Sequence, residues 1–311
     1  MKPFAVIIVL AMVLAGCNDL NDLRPVDPGK EIPEAAVKVV KAKFPNAEEL
    51  VFKPILEDKI WEVKLKSDAD RYTSLVDYGK MWETFRVMPG NIPTALTESL
   101  PKTAFGDGTL SSYSTAYYAT TAGNKLIYNY RGENYSFEWA GVYPNANSSA
   151  TFDQVLYRIT TYEIADLPAS VKDTIQAMPE AGFMMGSTWV RLDDKKHYYV
   201  FARQKMGSQL ETVAMLFDDK GKLRWSSTFF STSGMINANS NMEQVPAGIK
   251  QYLDSAPELA GYEIEKKLIN NVNGLTSYYI TVTVGGVSRC AFFFDKDYNM
   301  LHKTYSVLLY K

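Results

Sequence analysis

The chain has 311 residues, 46% of them hydrophobic and 22% charged, an ordinary globular composition with material for more than one core. A formal net charge of −2 supplies no basic field for nucleic acid or anionic lipid, so nucleic acid is excluded as an expected partner. Twenty tyrosines and 15 phenylalanines favour strands over long helices.

The first element is separate from the rest. Lys2 gives a short positive region, and residues 4–14 form a continuous apolar run too short to span a bilayer as a mature helix. Residues 1–17 therefore read as a secretory signal. Its last four residues, Leu14-Ala15-Gly16-Cys17, resemble the lipobox of bacterial lipoproteins. The resemblance implies cleavage before Cys17, diacylglyceryl transfer to its sulfur and acylation of the new amino terminus. Two or more acyl chains anchor a protein stably where one does not. The expected location is the cell envelope, lipid-anchored, at the outer membrane and facing either the periplasm or the outside. Residues 18–31 read as a tether. Cys17 and Cys290 are the only cysteines, so lipidation leaves no intramolecular disulfide. Cys290, in the run Cys290-Ala291-Phe292-Phe293-Phe294, reads as a small buried hydrophobe.

Beyond the tether the chain repeats. Pro33 is followed by Pro45, Pro168 by Pro179 and Pro246 by Pro257, and apolar residues between them fall on a helical stripe: Ala36, Val37, Val40 and Phe44; Val171, Ile175 and Met178; Ile249, Leu253 and Ala256. Proline is tolerated at a first helical position, and a second proline disfavours helix in the residue before it. Each bracket predicts a short helix with built-in start and stop. The period then changes to two, as in Trp61, Val63 and Leu65, or Tyr278, Ile280, Val282 and Val284. Turn chemistry at Asp77-Tyr78-Gly79-Lys80, Asp218-Asp219-Lys220-Gly221 and Asp295-Lys296-Asp297-Tyr298-Asn299 closes a hairpin each time. A final strand follows each, over 81–87, 223–229 and 300–309. Between the first and third units lies a degenerate one, with a shortened bracket from Pro93 to Pro101 and strands over 113–119, 125–131, 135–142 and 151–164. The expected organisation is α+β: tandem units at 32–90, 91–165, 166–231 and 245–311, each a short helix packed on an antiparallel β-meander. The stretch 232–244 is the linker candidate.

This order, with Phe44-Pro45-Asn46-Ala47, Trp61-Glu62-Val63, Phe217-Asp218 through Gly221 and Phe294-Asp295, resembles the PepSY-like and β-lactamase-inhibitor-protein-like (BLIP-like) domains of secreted and lipid-anchored proteins of the Bacteroidetes. The resemblance covers nearly all of residues 33–311, although the third and fourth units replace the Phe-Pro-Asn-Ala form with Met178-Pro179-Glu180-Ala181 and Ala256-Pro257-Glu258-Leu259. It implies helices on curved sheets, with protein-binding or peptidase-inhibiting roles, and it carries over no catalytic residue.

Chemistry of other kinds finds little material. His197 and His302 are the only histidines, and neither has a His or Cys partner at ligand spacing. Each falls in a strand pattern and reads as a solvated or partly buried strand histidine. Asp295-x-Asp297-x-Asn299 opens like a calcium loop, but Met300 and Ser306 stand where such a loop needs Gly and Glu, so it reads as a hairpin turn. No phosphate loop, dinucleotide fingerprint or nucleophile elbow occurs, and the expectation is a protein with no cofactor, no metal and no enzymatic role. Aromatics crowd the second unit, and alternation buries only one face of an open sheet. Tyr117, Tyr128, Tyr130, Tyr135 and Trp139 are therefore candidate binding residues, set against their reading as core and cross-strand pairs. Two partners remain open: a protein or peptide held on sheet faces, or a glycan stacked on exposed rings.

Overall fold

The computed structural model describes residues 33–118, 123–140, 148–178, 180–206, 209–229, 239–272 and 274–309. The expected signal, Cys17 and the whole tether lie outside the described residues. The chain is mostly β, with a few short helices, and its strands form two open antiparallel sheets.

The first unit runs α1 (Glu34–Lys43), β1 (Ala47–Leu56), β2 (Ile60–Ser67), β3 (Asp70–Val76) and β4 (Met81–Val87). Pro33 sits one position earlier than the sequence reading placed it. It is the N-cap, with φ −60° and ψ 123°, and its carbonyl accepts from Ala36 N at 2.9 Å. A proline ring offers no side-chain cap, so here it acts only by fixing φ. Ala36 and Val40 turn inward onto Trp61, Val63, Leu65 and Val76, and the Phe44 ring at the C-cap packs at a tilt 4.7 Å from that of Tyr72. Burying Val40 alone contributes about 1.5–3 kcal/mol.

The second unit has α2 (Thr94–Ser99), a 3-10 turn at Leu100–Lys102, then β5 (Thr109–Tyr118), β6 (Asn124–Tyr130), β7 (Glu133–Trp139), β8 (Ser148–Asp153) and β9 (Val155–Thr161). The third runs α3 (Ala169–Gln176), β10 (Gly182–Arg191), β11 (Lys196–Met206), β12 (Gln209–Phe217) and β13 (Leu223–Phe229). A three-residue strand, β14 (Asn239–Asn241), lies in the predicted linker and precedes α4 (Ala247–Ser255), β15 (Glu263–Val272), β16 (Leu275–Val284), β17 (Ser288–Phe294) and β18 (Met300–Leu309).

Three hairpins share one register. Trp61 pairs with Val76, Tyr198 with Phe217 and Tyr278 with Phe294, each one residue before a turn aspartate. Those aspartates fold their own turns. Asp77 accepts from Gly79 N and Lys80 N, Asp218 from Lys220 N and Lys222 N, and Asp295 from Asp297 N and Asn299 N, all at 2.7–3.0 Å.

The assembly departs from four separate units. Strands of the first, second and fourth join in one 13-stranded sheet, β1 to β8 and then β18 back to β14, with β8 and β18 as the seam. The second and fourth share a core in which Tyr305 of β18 stacks 4.6 Å from Phe152 of β8. The strand predicted over 151–164 is two strands in different sheets. Asp153 ends β8 and takes Val155 N on Oδ1, while β9 crosses over to pair with β10. The second sheet has the order β13-β12-β11-β10-β9.

Candidate functional site

Helices α1, α2 and α4 cover one face of the large sheet. The other face, where sequence reasoning looked for a binding surface, is largely filled from within. The five-stranded sheet turns one side to α3 through Val200, Ala202, Val213 and Met215. Its other side carries Trp189, Leu216 and Trp225 against Tyr279, Phe293 and Leu301 of the fourth unit. At the β9 edge, Tyr157, Ile159 and Val190, which the register places on the same side as Val200, pack against Ile55, Ile60 and Leu75 of the first. Polar contacts fix the stacking. Trp225 Nε1 donates to the Tyr278 carbonyl at 3.1 Å, and Ser277 Oγ donates to the Ser226 carbonyl at 2.9 Å. Arg224 lies 3.7 Å from Asp218 and 3.6 Å from Asp295, linking the turns of two units.

Where β8 crosses to β9, charged groups line the seam between the sheets. Tyr157 donates its hydroxyl to Glu62. Lys125 Nζ donates to Glu83 at 2.7 Å, and Arg158 bridges Asp153 and Glu138. His302 is buried, with Nε2 at 3.0 Å from Thr304 Oγ1 and 3.8 Å from Asp153 Oδ2. Burial, reinforced by the positive charges of Arg158 and Arg191, lowers the His302 pKa to about 3. Burial pushes the Asp153 carboxyl up against the pull of Arg158. Both contacts of His302 fall on one ring nitrogen, whereas a proton relay needs the carboxylate and the hydroxyl on opposite nitrogens. The cluster is a fastening between sheets.

The aromatic candidates divide. Tyr128, Tyr130, Tyr135 and Trp139 are 0–5% exposed and belong to the core shared by the second and fourth units, the core reading that stood beside their candidacy as binding residues. The physical reason is the length of α2. Six residues cover less sheet than the eight to ten of the other helices, and large rings fill the difference. Tyr128 also donates to the Phe105 carbonyl at 2.6 Å, which satisfies its hydroxyl inside the core. Tyr117 alone is open, at 46%, with its ring against Phe44 and Tyr72. Cys290 is buried, as its apolar run predicts, and His197 is half-buried; His302 lies deeper than its strand pattern implied.

Part of the inner face stays uncovered. One row crosses six strands through paired residues: Glu138 with Thr151, Thr151 with Ser306, Ser306 with Arg289, Arg289 with Thr283, and Thr283 with Glu263. Alternation puts these opposite the core residues Phe137, Phe152, Tyr305, Cys290 and Val282. Beside the row, Leu308 and its partner Ser149 are exposed. Arg289 is held by Glu265 at 2.5 Å and Glu138 faces Arg158, so the strip is hydroxyl-rich, carries a slight excess of carboxylate through Glu263 and has one apolar side chain at its margin. No sequence signal separated this strip from the covered part, because both alternate alike. Among the described residues no group of three or more His, Cys, Asp or Glu side chains could hold a metal ion. A shallow depression on α4 is lined by Ala247, Lys250, Gln251, Asp254 and Ser255. No protein-family model matches the chain, and no curated protein matches it.

Proposed function

We propose that this is a lipid-anchored, non-catalytic envelope protein that binds a protein or peptide partner on the uncovered strip around Thr151, Ser306 and Arg289. Its tandem helix-and-meander units are read as PepSY-like or BLIP-like, on the element order helix then four strands. The observation that carries the docking reading is the strip itself: a sheet face six strands wide, left open where the five-stranded sheet stops. Small side chains let a partner's backbone approach closely, and Leu308, Arg289 and Glu138 supply apolar and charged anchors. Burial of four of the five candidate rings weakens the glycan alternative, since stacking on sugars needs open ring faces.

The test is photo-crosslinking in intact envelopes, with a benzophenone amino acid at Thr151 and, as a control, at Gln251 on α4. A discrete protein adduct at Thr151, absent at Gln251 and lost on Leu308→Asp, is expected. Saturable capture of a glycan by the soluble chain from Asn18 onward, with no adduct at Thr151, would replace this reading with the glycan one.

A further inference from the structure

The end of the molecule where the tether enters carries an unusual share of exposed apolar side chains. Helix α1 runs antiparallel to β3, because Phe44 at its C-terminus packs on Tyr72 near the start of β3. Its N-terminus, at Glu34, therefore lies toward the β3–β4 turn. That turn carries Tyr78, 50% exposed, and Lys80, whose Nζ sits 4.0 Å over the Trp82 ring. The end of β9 comes to the same place. Thr161 donates to Asp166 at 2.6 Å, and Asp166 also takes Lys59 of the β1–β2 turn at 2.7 Å. The next residue is Tyr162, 72% exposed. Register brings two more to that end of the five-stranded sheet. Thr161 pairs with Gly186 and Gly182 with Arg203, which places Met184 and Leu210 beyond the close of β9. Four of the nine large hydrophobics exposed among the described residues thus gather at one end of the fold, where chance would scatter them.

We infer that this end, through Tyr78, Tyr162, Met184 and Leu210, rests in the headgroup region of the phospholipid bilayer that holds the acyl chains on Cys17. The inference rests on the lipid-anchor reading above. Tyrosine and tryptophan beside lysine suit that region, where a ring finds an apolar phase and its polar tip stays wet. Fifteen residues separate Cys17 from Pro33, a span of roughly 50 Å at full extension. Such a leash keeps the surface at high effective concentration, so individually weak insertions suffice to orient the protein. The full chain's net charge of −2 gives no overall attraction to anionic lipid, so the orientation is expected to be indifferent to the anionic fraction.

The mature protein, purified from bacteria and reconstituted into phosphatidylethanolamine–phosphatidylglycerol vesicles, carries a nitroxide at Tyr78→Cys, Tyr162→Cys or Thr151→Cys. Acylated Cys17 and buried Cys290 do not compete for the label. The expected result is a several-fold higher ratio of oxygen to nickel-chelate accessibility at positions 78 and 162 than at 151, unchanged when phosphatidylglycerol is omitted. Equal, water-like accessibility at all three sites on a chain whose N-terminal peptide is shown by mass to be acylated overturns this inference and leaves the anchor standing. An unacylated peptide overturns both.

Discussion

Tyr157 of β9 donates its hydroxyl to the carboxylate of Glu62 on β2, a hydrogen bond between two sheets whose strands never pair with each other. Both side chains are buried, and around them lie Ile55, Ile60, Leu75 and Val190. Burial, and then the neighbouring charge of Glu62, drive the tyrosine pKa well above its usual value, so the proton stays on the phenol and the carboxylate has a permanent donor.

Tyr157→Phe removes that donor and leaves Glu62 in an apolar layer. The expected cost is about 1–3 kcal/mol in urea unfolding. Adding Glu62→Leu to the same chain restores part of the loss, because a buried pair replaced by apolar groups costs less than one orphaned partner. If the double variant is the less stable of the two, the bond is a larger net stabiliser than this account allows.

Acid should loosen the same seam through His302. Its folded pKa of about 3 lies far below the usual imidazole value of 6.5, so the unfolded chain takes up a proton that the folded chain refuses. Stability from this group is complete above pH 6.5 and falls as pH drops toward 3, by at most roughly 1.4 kcal/mol per pH unit. Asp153 acts in the opposite sense. Its raised pKa means the folded chain binds its proton first, which returns some stability as pH falls through that value. His302→Gln should therefore flatten the acid limb of the stability curve between pH 6 and pH 4, measured by denaturant midpoints; an unchanged slope would place the sensitivity elsewhere.

Much of this architecture is legible in the residues, but only at short range. Strands β4, β13 and β18 begin and end where turn aspartates and alternation place them, and α1 lies inside its prolines. Alternation says which side chains share a face and nothing about what covers it. Trp139 and Thr151 both sit in regular two-residue patterns, yet one is core and the other open. The stretch 151–164 reads as one strand because the break at Asp153 depends on a second sheet, supplied by β10 to β13, that no local pattern announces. Alternation likewise left the rings of the second unit open between core and surface, and the short α2, which covers little sheet, is what leaves room for them inside.

Two glycines on opposite sides of the helix-to-turn contact, Gly221 in the β12–β13 turn and Gly248 near the start of α4, separate backbone need from space. Gly221 has φ +73°, and a Cβ there would come 1.9 Å from Ser170 Oγ at the start of α3. Gly248 is helical with no left-handed backbone, and its Cβ would meet Tyr298 at Cδ2, 2.7 Å, and Cγ, 3.1 Å, a side chain 39% exposed that must shift to make room. Gly221→Ala should cost about 1–3 kcal/mol through strain and clash. Gly248→Ala should lie near neutral, since about 1 kcal/mol of helix propensity offsets the displaced ring. Thermal melts of the two variants make the comparison, and equal losses would contradict it.

The shared core predicts that the second and fourth units unfold together, and Cys290 can report on it. Burial drives its thiol well above the ordinary range, so in the folded chain it is neither accessible nor ionised. In a soluble chain carrying Cys17→Ser it is the only thiol, and a disulfide reagent should modify it only as fast as the core opens. Trp139 lies on β7 and Cys290 on β17, in different units of the repeat but in one cluster. Trp139→Ala should cost about 3–5 kcal/mol and accelerate labelling of Cys290 accordingly. Tyr117→Ala, at an exposed ring outside that cluster, should cost about 0.5–1.5 kcal/mol and leave the labelling rate alone. Were the units independent, Trp139→Ala would unfold the second while Cys290 stayed protected in the fourth. Labelling kinetics thus distinguish a string of domains from one body built of repeats.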